Sequence, residues 1–318
     1  MSKLTRSEFL KVMGLGASSL TLPGCAHLLR GTRGKGAGKR PNIIFIESDS
    51  MDGRIMGCAG HPAAYTPNMD RLAGRGALFL NTYCNSPQCC PSRASMWSGQ
   101  HTHQIEGWNN YKGIEKGTPT FRTHLDQAGY LTHTIGKTDY LSGSHSFANR
   151  IWNWTRTANI RLPQKSRPEA RISDSYEHRF RSGDWDRIDK CKEWLRQNAG
   201  QDGPPFMLYC GLSIPHPAFR TSKKWLETID PEKVTLPPYE AQLHPVMEYM
   251  AATKNSLGEF SDEEILAIRR TYYAMIAEAD AMVGELVDTV ESMGLGDSTY
   301  IIYMSDHGEM NMEHRQWL

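Results

Sequence analysis

Apolar positions follow two rhythms along this chain. Asn42-Ile43-Ile44-Phe45-Ile46-Glu47-Ser48 is an unbroken apolar run closed by polar residues, the pattern of a strand buried on both faces of a mostly parallel sheet. Asp49 then stands at the C-terminal edge of that strand, where open α/β sheets collect their ligands. Similar runs predict strands over Tyr130 to Ile135, Phe206 to Leu212 and Thr299 to Met304, ending beside Lys137, His216 and the Asp306-His307 pair. The second rhythm is helical. Thr66-Pro67 predicts a helix through Leu72, with Thr66 as N-cap, Pro67 at the first position and Gly76 as the stop, followed by an extended run Ala77-Leu78-Phe79-Leu80. Ser261 and Glu264 form a capping box, and Ile265, Ile268, Tyr272, Ile276 and Ala279 follow at helical spacing, which predicts a long core-facing helix to about Met293 with Gly294 as its end. Strands alternating with helices define an α/β chain with a central, mostly parallel sheet.

The first residues obey neither rhythm. Lys3, Arg6 and Lys11 precede a short apolar run, Val12 to Leu22, too short for a permanent membrane span, so residues 1–24 read as a secretory signal. Leu22-Pro23-Gly24-Cys25 has the form of a bacterial lipobox with an atypical Pro23. Lipidation at Cys25, and with it a membrane tether, stays open. So does the export route, because the segment from Thr5 to Lys11 resembles a twin-arginine signal with Ser7 in place of the second arginine. Residues 25–40 carry Gly31, Gly34, Gly36 and Gly38 among Arg30, Arg33, Lys35, Lys39 and Arg40, a composition that cannot pack a core and reads as a tether. The third segment, residues 41–318, is the folded part, and the protein is expected to be exported to a periplasmic or cell-surface location.

Composition narrows the function. The 318 residues have 36 Lys+Arg against 35 Asp+Glu, a net charge of +1 that gives no bulk attraction to nucleic acid. Removing the signal leaves about −1, so an anionic ligand must be met by local charge. Seven cysteines without a C-x-x-C pair do not form a disulfide framework, and the adjacent Cys89-Cys90 pair in an exported chain points to thiol chemistry.

The most informative segment is Cys89-Cys90-Pro91-Ser92-Arg93-Ala94-Ser95-Met96-Trp97-Ser98-Gly99. Alone it reads as a buried cysteine pair before a short helix, or as an anion site in which free backbone N–H groups at the helix start face residue 89. The segment resembles the signature of the sulfatase family, C-x-P-S-R with a glycine six residues after the arginine, at every specified position. Pro41 to Asp49 resembles the opening strand of sulfatases, Gly136-Lys137 their sulfate-binding lysine element, Pro215-His216-Pro217 their P-H-x element, and Ser305-Asp306-His307-Gly308 their late D-H-G element.

That resemblance implies an alkaline-phosphatase-like sulfatase sandwich, a central mostly parallel sheet flanked by helices, acting as a sulfuric ester hydrolase. It implies that Cys89 is oxidised by a formylglycine-generating maturation enzyme and serves as nucleophile in hydrated form. Asp49, Asp306 and His307, together with residue 89, would hold one divalent cation, calcium or magnesium, with calcium the family's usual choice. Arg93 would approach the sulfate oxygens or the geminal diol, Lys137 would bind sulfate, and His216 would protonate the leaving oxygen. Two positions depart from the family pattern. Ser50 replaces a second aspartate beside Asp49, and Asp139 stands where a histidine is expected, leaving His216 or His145 as the acid.

These departures, with Trp108-Asn109-Asn110 and Glu313-His314-Arg315-Gln316, resemble a branch of the family acting on 2-O-sulfated glucuronate of glycosaminoglycans. Iduronate 2-sulfate and aryl sulfates are the alternatives within the family. Outside it stand a phosphoester hydrolase of the same superfamily and a non-catalytic glycan-binding lipoprotein. From Asn149 to Ile172, Arg150, Arg156, Arg161, Lys165, Arg167 and Arg171 interleave with Trp152 and Trp154, either a cleft for an acidic sugar or a solvated basic loop. Related sulfatases continue after the D-H-G element with another active-site lysine, further strands and a smaller C-terminal subdomain. The expectation is therefore the N-terminal part of a sulfatase catalytic domain with that subdomain missing.

Overall fold

A computed structural model describes residues 40–143, 167–200, 203–239, 242–256 and 258–317. The signal, nearly all of the tether, Cys25, His145 and the basic stretch up to residue 166 lie outside them. The unit of interest runs from Pro41 to Leu318.

Its centre is a four-stranded parallel sheet of β1 (Asn42–Ser48), β2 (Leu131–Gly136), β4 (Phe206–Gly211) and β6 (Thr299–Ser305), in the order β2-β4-β1-β6. All four strands were predicted from apolar runs, each within a residue or two of its observed ends. The register pairs Ile44 with Leu208 and with Ile301, so the C-terminal ends of all four strands meet along one edge. β3 (Arg171–Ser173) and β5 (Arg220–Ser222) form a separate parallel pair.

Because side chains alternate along a strand, the sheet feeds two cores. Ile44, Ile46, Leu208 and Cys210 pack into the larger one, against α4 (Ser182–Asn198) and α7 (Asp262–Ser292). Ile43, Phe45, Met207 and Tyr209 face the other way, toward Trp97 of α2 (Cys89–Ser98) and Phe121 of α3 (Phe121–Gln127). There Trp97 stacks on Tyr140 at 4.2 Å and meets Tyr209 edge-on at 5.0 Å. α1 (Pro67–Gly74), α5 (Lys223–Leu226) and α6 (Pro245–Thr253) complete the helices described. None of the described helices is long and apolar enough to cross a membrane.

The long helix follows its sequence signals. Ser261 Oγ accepts from the Glu264 N–H at 3.2 Å, Glu264 returns to the Ser261 N–H at 2.8 Å, and the helix ends at Ser292, with Gly294 at φ +69. Two expectations fail. Thr66 does not cap α1 with its side chain; its hydroxyl accepts from Gly57 and donates to Asp70. Asp280 of α7 supplies the cap instead, accepting from the Asn68 N–H at 3.2 Å and the Met69 N–H at 2.7 Å. A buried carboxylate from a packed helix is a stronger acceptor than a local hydroxyl. The run Ala77 to Leu80 forms no strand. Phe79 is 79% exposed and Leu80 69%, since no described strand lies beside them to satisfy an extended backbone.

Candidate active site

The C-terminal edge of the sheet gathers the chemistry. β1 delivers Asp49, β6 delivers Asp306 and His307, β2 delivers Lys137, and α2 begins with Cys89. One donor atom each from Asp49, Cys89, Asp306 and His307 lies within 4.8 Å of the others, and all four residues are buried. Cys89 Sγ stands 3.5 Å from Asp49 Oδ1 and 3.3 Å from His307 Nε2. His307 Nδ1 lies 2.8 Å from the Gly308 carbonyl, which can only accept. This places a proton on Nδ1 and aims Nε2 at the cluster.

Lys137 reaches the cluster because two chains approach closely behind it. Its N–H donates to Gly211 O at 2.9 Å, and a Cβ on Gly211 would lie 1.9 Å from Lys137 O. Only glycine fits there, so the end of β4 lets β2 set Lys137 beside Asp49. Lys137 Nζ forms an ion pair with Asp49 Oδ2 and lies 3.4 Å from Asp139, the residue that replaces the expected histidine. Burial acts to raise the Asp49 carboxyl, but Lys137, His216 and Arg93 together outweigh it and hold the group below the usual carboxylate range. His216 lies within electrostatic reach of Asp49, and its Nδ1 hydrogen-bonds the Pro217 carbonyl.

Arg93 takes a different position from the one expected. It is fully buried, with Nε 2.8 Å from Asp306 Oδ2 and Nη1 3.0 Å from Glu47 Oε2 and 2.8 Å from the Tyr209 hydroxyl. Only Nη2 lacks a partner. The guanidinium therefore orients Asp306 from behind, and most of its donors are spent before any anion arrives. Glu47 and Tyr209 were not singled out in the sequence. Burial first, then neighbouring Asp306 and Asp49, push the Glu47 carboxyl up to about 7 despite Arg93 and Tyr209. The available signal was a glutamate closing an otherwise apolar strand.

The helix start also differs from expectation. Cys90 N–H donates to Asn110 Oδ1 at 3.0 Å, Ser92 N–H donates to Gln88 O at 3.0 Å, and Pro91 has no N–H. Little of the first turn remains open, because the neighbouring loop caps it. Ser50 adopts φ +60 and links the two aspartates, its N–H donating to Asp306 Oδ1 at 3.0 Å and its hydroxyl to Asp49 Oδ1 at 3.2 Å. A serine thus joins the carboxylates where a third carboxylate was expected. Of the basic stretch, Arg167 lies 3.6 Å from Glu264 and Arg171 2.6 Å from Glu169, so both are engaged in ion pairs.

The donor set suits a hard divalent cation. Two buried carboxylates converge with one imidazole held in its ligating tautomer, and Glu47 Oε1 and Arg93 Nη2 are left without partners just behind them. Burial, then the charge of Asp49, pushes the Cys89 thiol well above its ordinary range.

A parallel sheet flanked by helices, with Cys89 and a carboxylate cluster at its C-terminal edge, is an alkaline-phosphatase-like fold. Two solved structures share it. One is a phosphonate monoester hydrolase of Agrobacterium radiobacter, with TM-score 0.67 and 23% identity, covering 88% of this chain and 65% of that one. The other is a 2-O GAG sulfatase, with TM-score 0.61 and 19% identity, covering 88% and 60%. The sequence profile of the Sulfatase family matches residues 41–317, and the chain belongs to that family. Among its relatives are arylsulfatase K of Canis lupus familiaris, 41% identical over 95% of this chain and 59% of the relative, and arylsulfatase K of Homo sapiens, 41% identical over 90% and 56%. The chain thus spans somewhat over half the length of these relatives.

Proposed function

We propose that the protein is a sulfuric ester hydrolase that removes sulfate from a sulfated carbohydrate, namely a terminal 2-O-sulfated glucuronate of a glycosaminoglycan-type polysaccharide. The observation carrying this reading is the convergence of Cys89, Asp49, Asp306 and His307 within 4.8 Å at the sheet edge, with Lys137 paired to Asp49. Family membership and the arylsulfatase K relatives support it.

In this reading a maturation enzyme oxidises Cys89 to formylglycine, whose hydrate supplies an oxygen nucleophile. Asp49, Asp306, His307 and residue 89 would hold a calcium ion, which would offset charge on the sulfate oxygens and lower the pKa of the attacking hydroxyl. The chain's own groups do the rest. Lys137 turns from Asp49 toward an equatorial sulfate oxygen and offsets its charge. Arg93 keeps Asp306 in place through Nε and offers Nη2 as its remaining donor. His216 holds the proton that the departing sugar oxygen takes as its bond to sulfur breaks and a bond forms from sulfur to one hydroxyl of residue 89. The second hydroxyl then loses its proton, expelling sulfate and leaving the aldehyde, which takes up one water to restore the hydrate. In this reading the leader places the protein outside the cytoplasm.

The test is sulfate release by the full-length, matured protein from terminal 2-O-sulfated glucuronate and iduronate side by side, with a phosphate monoester as control. Glucuronate sulfate should turn over fastest, and a peptide carrying residue 89 should show formylglycine by mass spectrometry. Cys89→Ala should lower kcat/KM at least about 10⁴-fold while leaving the far-UV circular dichroism unchanged. Wild-type turnover in that variant would remove the proposed nucleophile, and faster hydrolysis of the phosphate ester would reassign the reaction.

A further inference from the structure

The segment from Glu106 to Ile114, between α2 and α3, has almost no regular structure, yet its C-terminal half is pinned at two points, to the start of α2 and to the segment that follows Lys137. On one side Asn110 Oδ1 accepts the Cys90 N–H at 3.0 Å, in the first turn of the helix that carries residue 89. On the other, Ile114 bridges Leu141, its N–H donating to Tyr140 O at 2.9 Å, and the Ser142 N–H returns to Ile114 O at 3.0 Å. A Cβ on Gly113 would lie 2.2 Å from Tyr140 O, so this contact with the strand end behind Lys137 requires glycine. Between the two anchors, Asn109 Oδ1 accepts from the N–H groups of Tyr111 at 2.9 Å and Lys112 at 3.3 Å, fixing an Asx turn.

Trp108 stands just before this frame, next to its first anchor. Gly107 is buried, whereas Trp108 is 64% exposed and makes no ring contact among the described residues. Trp97, eleven positions earlier, is fully buried and stacked, so the exposure of the second indole is a property of its loop. Trp108 is two residues from Asn110, a backbone reach of about 7 Å, so it lies in the loop that borders the start of the helix carrying residue 89. A flat apolar face held rigidly at the edge of a charged site is suited to pack on the C–H face of a pyranose while the sulfate enters the cluster.

We propose that Trp108 is the stacking platform for the sugar ring that bears the sulfate. The proposal rests on the reading of the site as a sugar sulfatase. The indole orients the ring and contributes affinity without touching the sulfur, so its loss falls on KM.

The experiment is steady-state kinetics of the full-length, matured protein on terminal 2-O-sulfated glucuronate. Trp108→Ala should raise KM about tenfold with kcat changed less than about threefold, and Trp108→Phe should restore most of the difference. Trp108→Leu, which keeps apolar bulk but no flat face, should follow the alanine variant. Unchanged KM in Trp108→Ala, or equal behaviour of the leucine and phenylalanine variants, overturns the platform alone. Failure of the wild-type protein to release sulfate from any sugar sulfate overturns the functional reading, and the platform with it.

Discussion

Two helices lie on opposite faces of the same sheet and are stabilised by opposite means. α7 has 31 residues and buries twenty of them, a mostly apolar face that includes Ile265, Ile268, Met275, Ile276, Met282, Val283 and Leu286. α2 has 10 residues and buries eight, among them Ser92, Ser95 and Arg93, with Trp97 as its one large apolar anchor. The first is held by removing hydrocarbon from water, a non-directional force roughly proportional to area. The second is held by directed bonds, Arg93 to Glu47 and Asp306 and Ser92 Oγ to Asp306 O at 2.5 Å. Non-directional burial tolerates small shifts. A buried ion pair does not, because a displaced partner leaves an uncompensated charge. Cys89 thus sits on the helix whose position is most narrowly specified, and the thick apolar layer is kept on the far side of the sheet.

The contrast can be broken most directly at Arg93. Arg93→Met fills similar volume but leaves Glu47 and Asp306 facing each other without a cation, and should cost about 4 kcal/mol of unfolding free energy, read as a lower urea midpoint at constant slope. A loss below about 1 kcal/mol would mean that α2 is held mainly by Trp97 and that the two helices differ less than their contacts indicate.

A polar group on the apolar side sharpens the comparison. Glu278 of α7 is fully buried, accepting from the Arg181 N–H at 2.7 Å and the Trp185 indole at 2.9 Å, and burial outweighs these bonds and raises its pKa from 4.5 to about 7. Between those values the native state keeps a proton that the unfolded chain has lost, so stability falls as pH rises through the window and levels off above it. Relative to Glu278→Gln, the wild-type protein should lose up to about 3 kcal/mol from pH 4.5 to 7, measured by denaturant unfolding at successive pH values. Parallel pH profiles for the two proteins would show that the carboxyl is ionised in the folded state. The smallest effect is expected at the edge of the same helix. Ser261→Ala removes the capping bond to Glu264 and should cost about 1 kcal/mol, read as a small fall in the urea midpoint.

Periodicity made α7 legible and left α2 unreadable as structure. Five apolar positions at helical spacing and a capping box defined α7, whereas α2 mixes Cys, Ser, Arg and Trp with no apolar stripe and was found only through its chemistry. The same split runs through the site. Asp49, Lys137, Asp306 and His307 were legible because each follows an apolar strand, and strand ends at one sheet edge converge. Glu47 and Tyr209 were not, because each reads as one more residue of its strand until the fold turns both toward Arg93. Asn110 was named only through the resemblance, and its bond to Cys90 was not legible because it joins segments twenty residues apart.

The sequence alone determined the four central strands, the long helix, the sulfatase signature and the set of residues that meet at the sheet edge, all carried by local periodicity or by spacing along one chain. Only the tertiary structure decided how those residues are used. It placed Arg93 behind Asp306, closed the start of α2 with Asn110, capped α1 with Asp280 in place of Thr66, and left Ala77 to Leu80 unpaired. Each of these depends on which distant group supplies the stronger partner to a buried donor or charge, and that competition is settled only when the chain is packed.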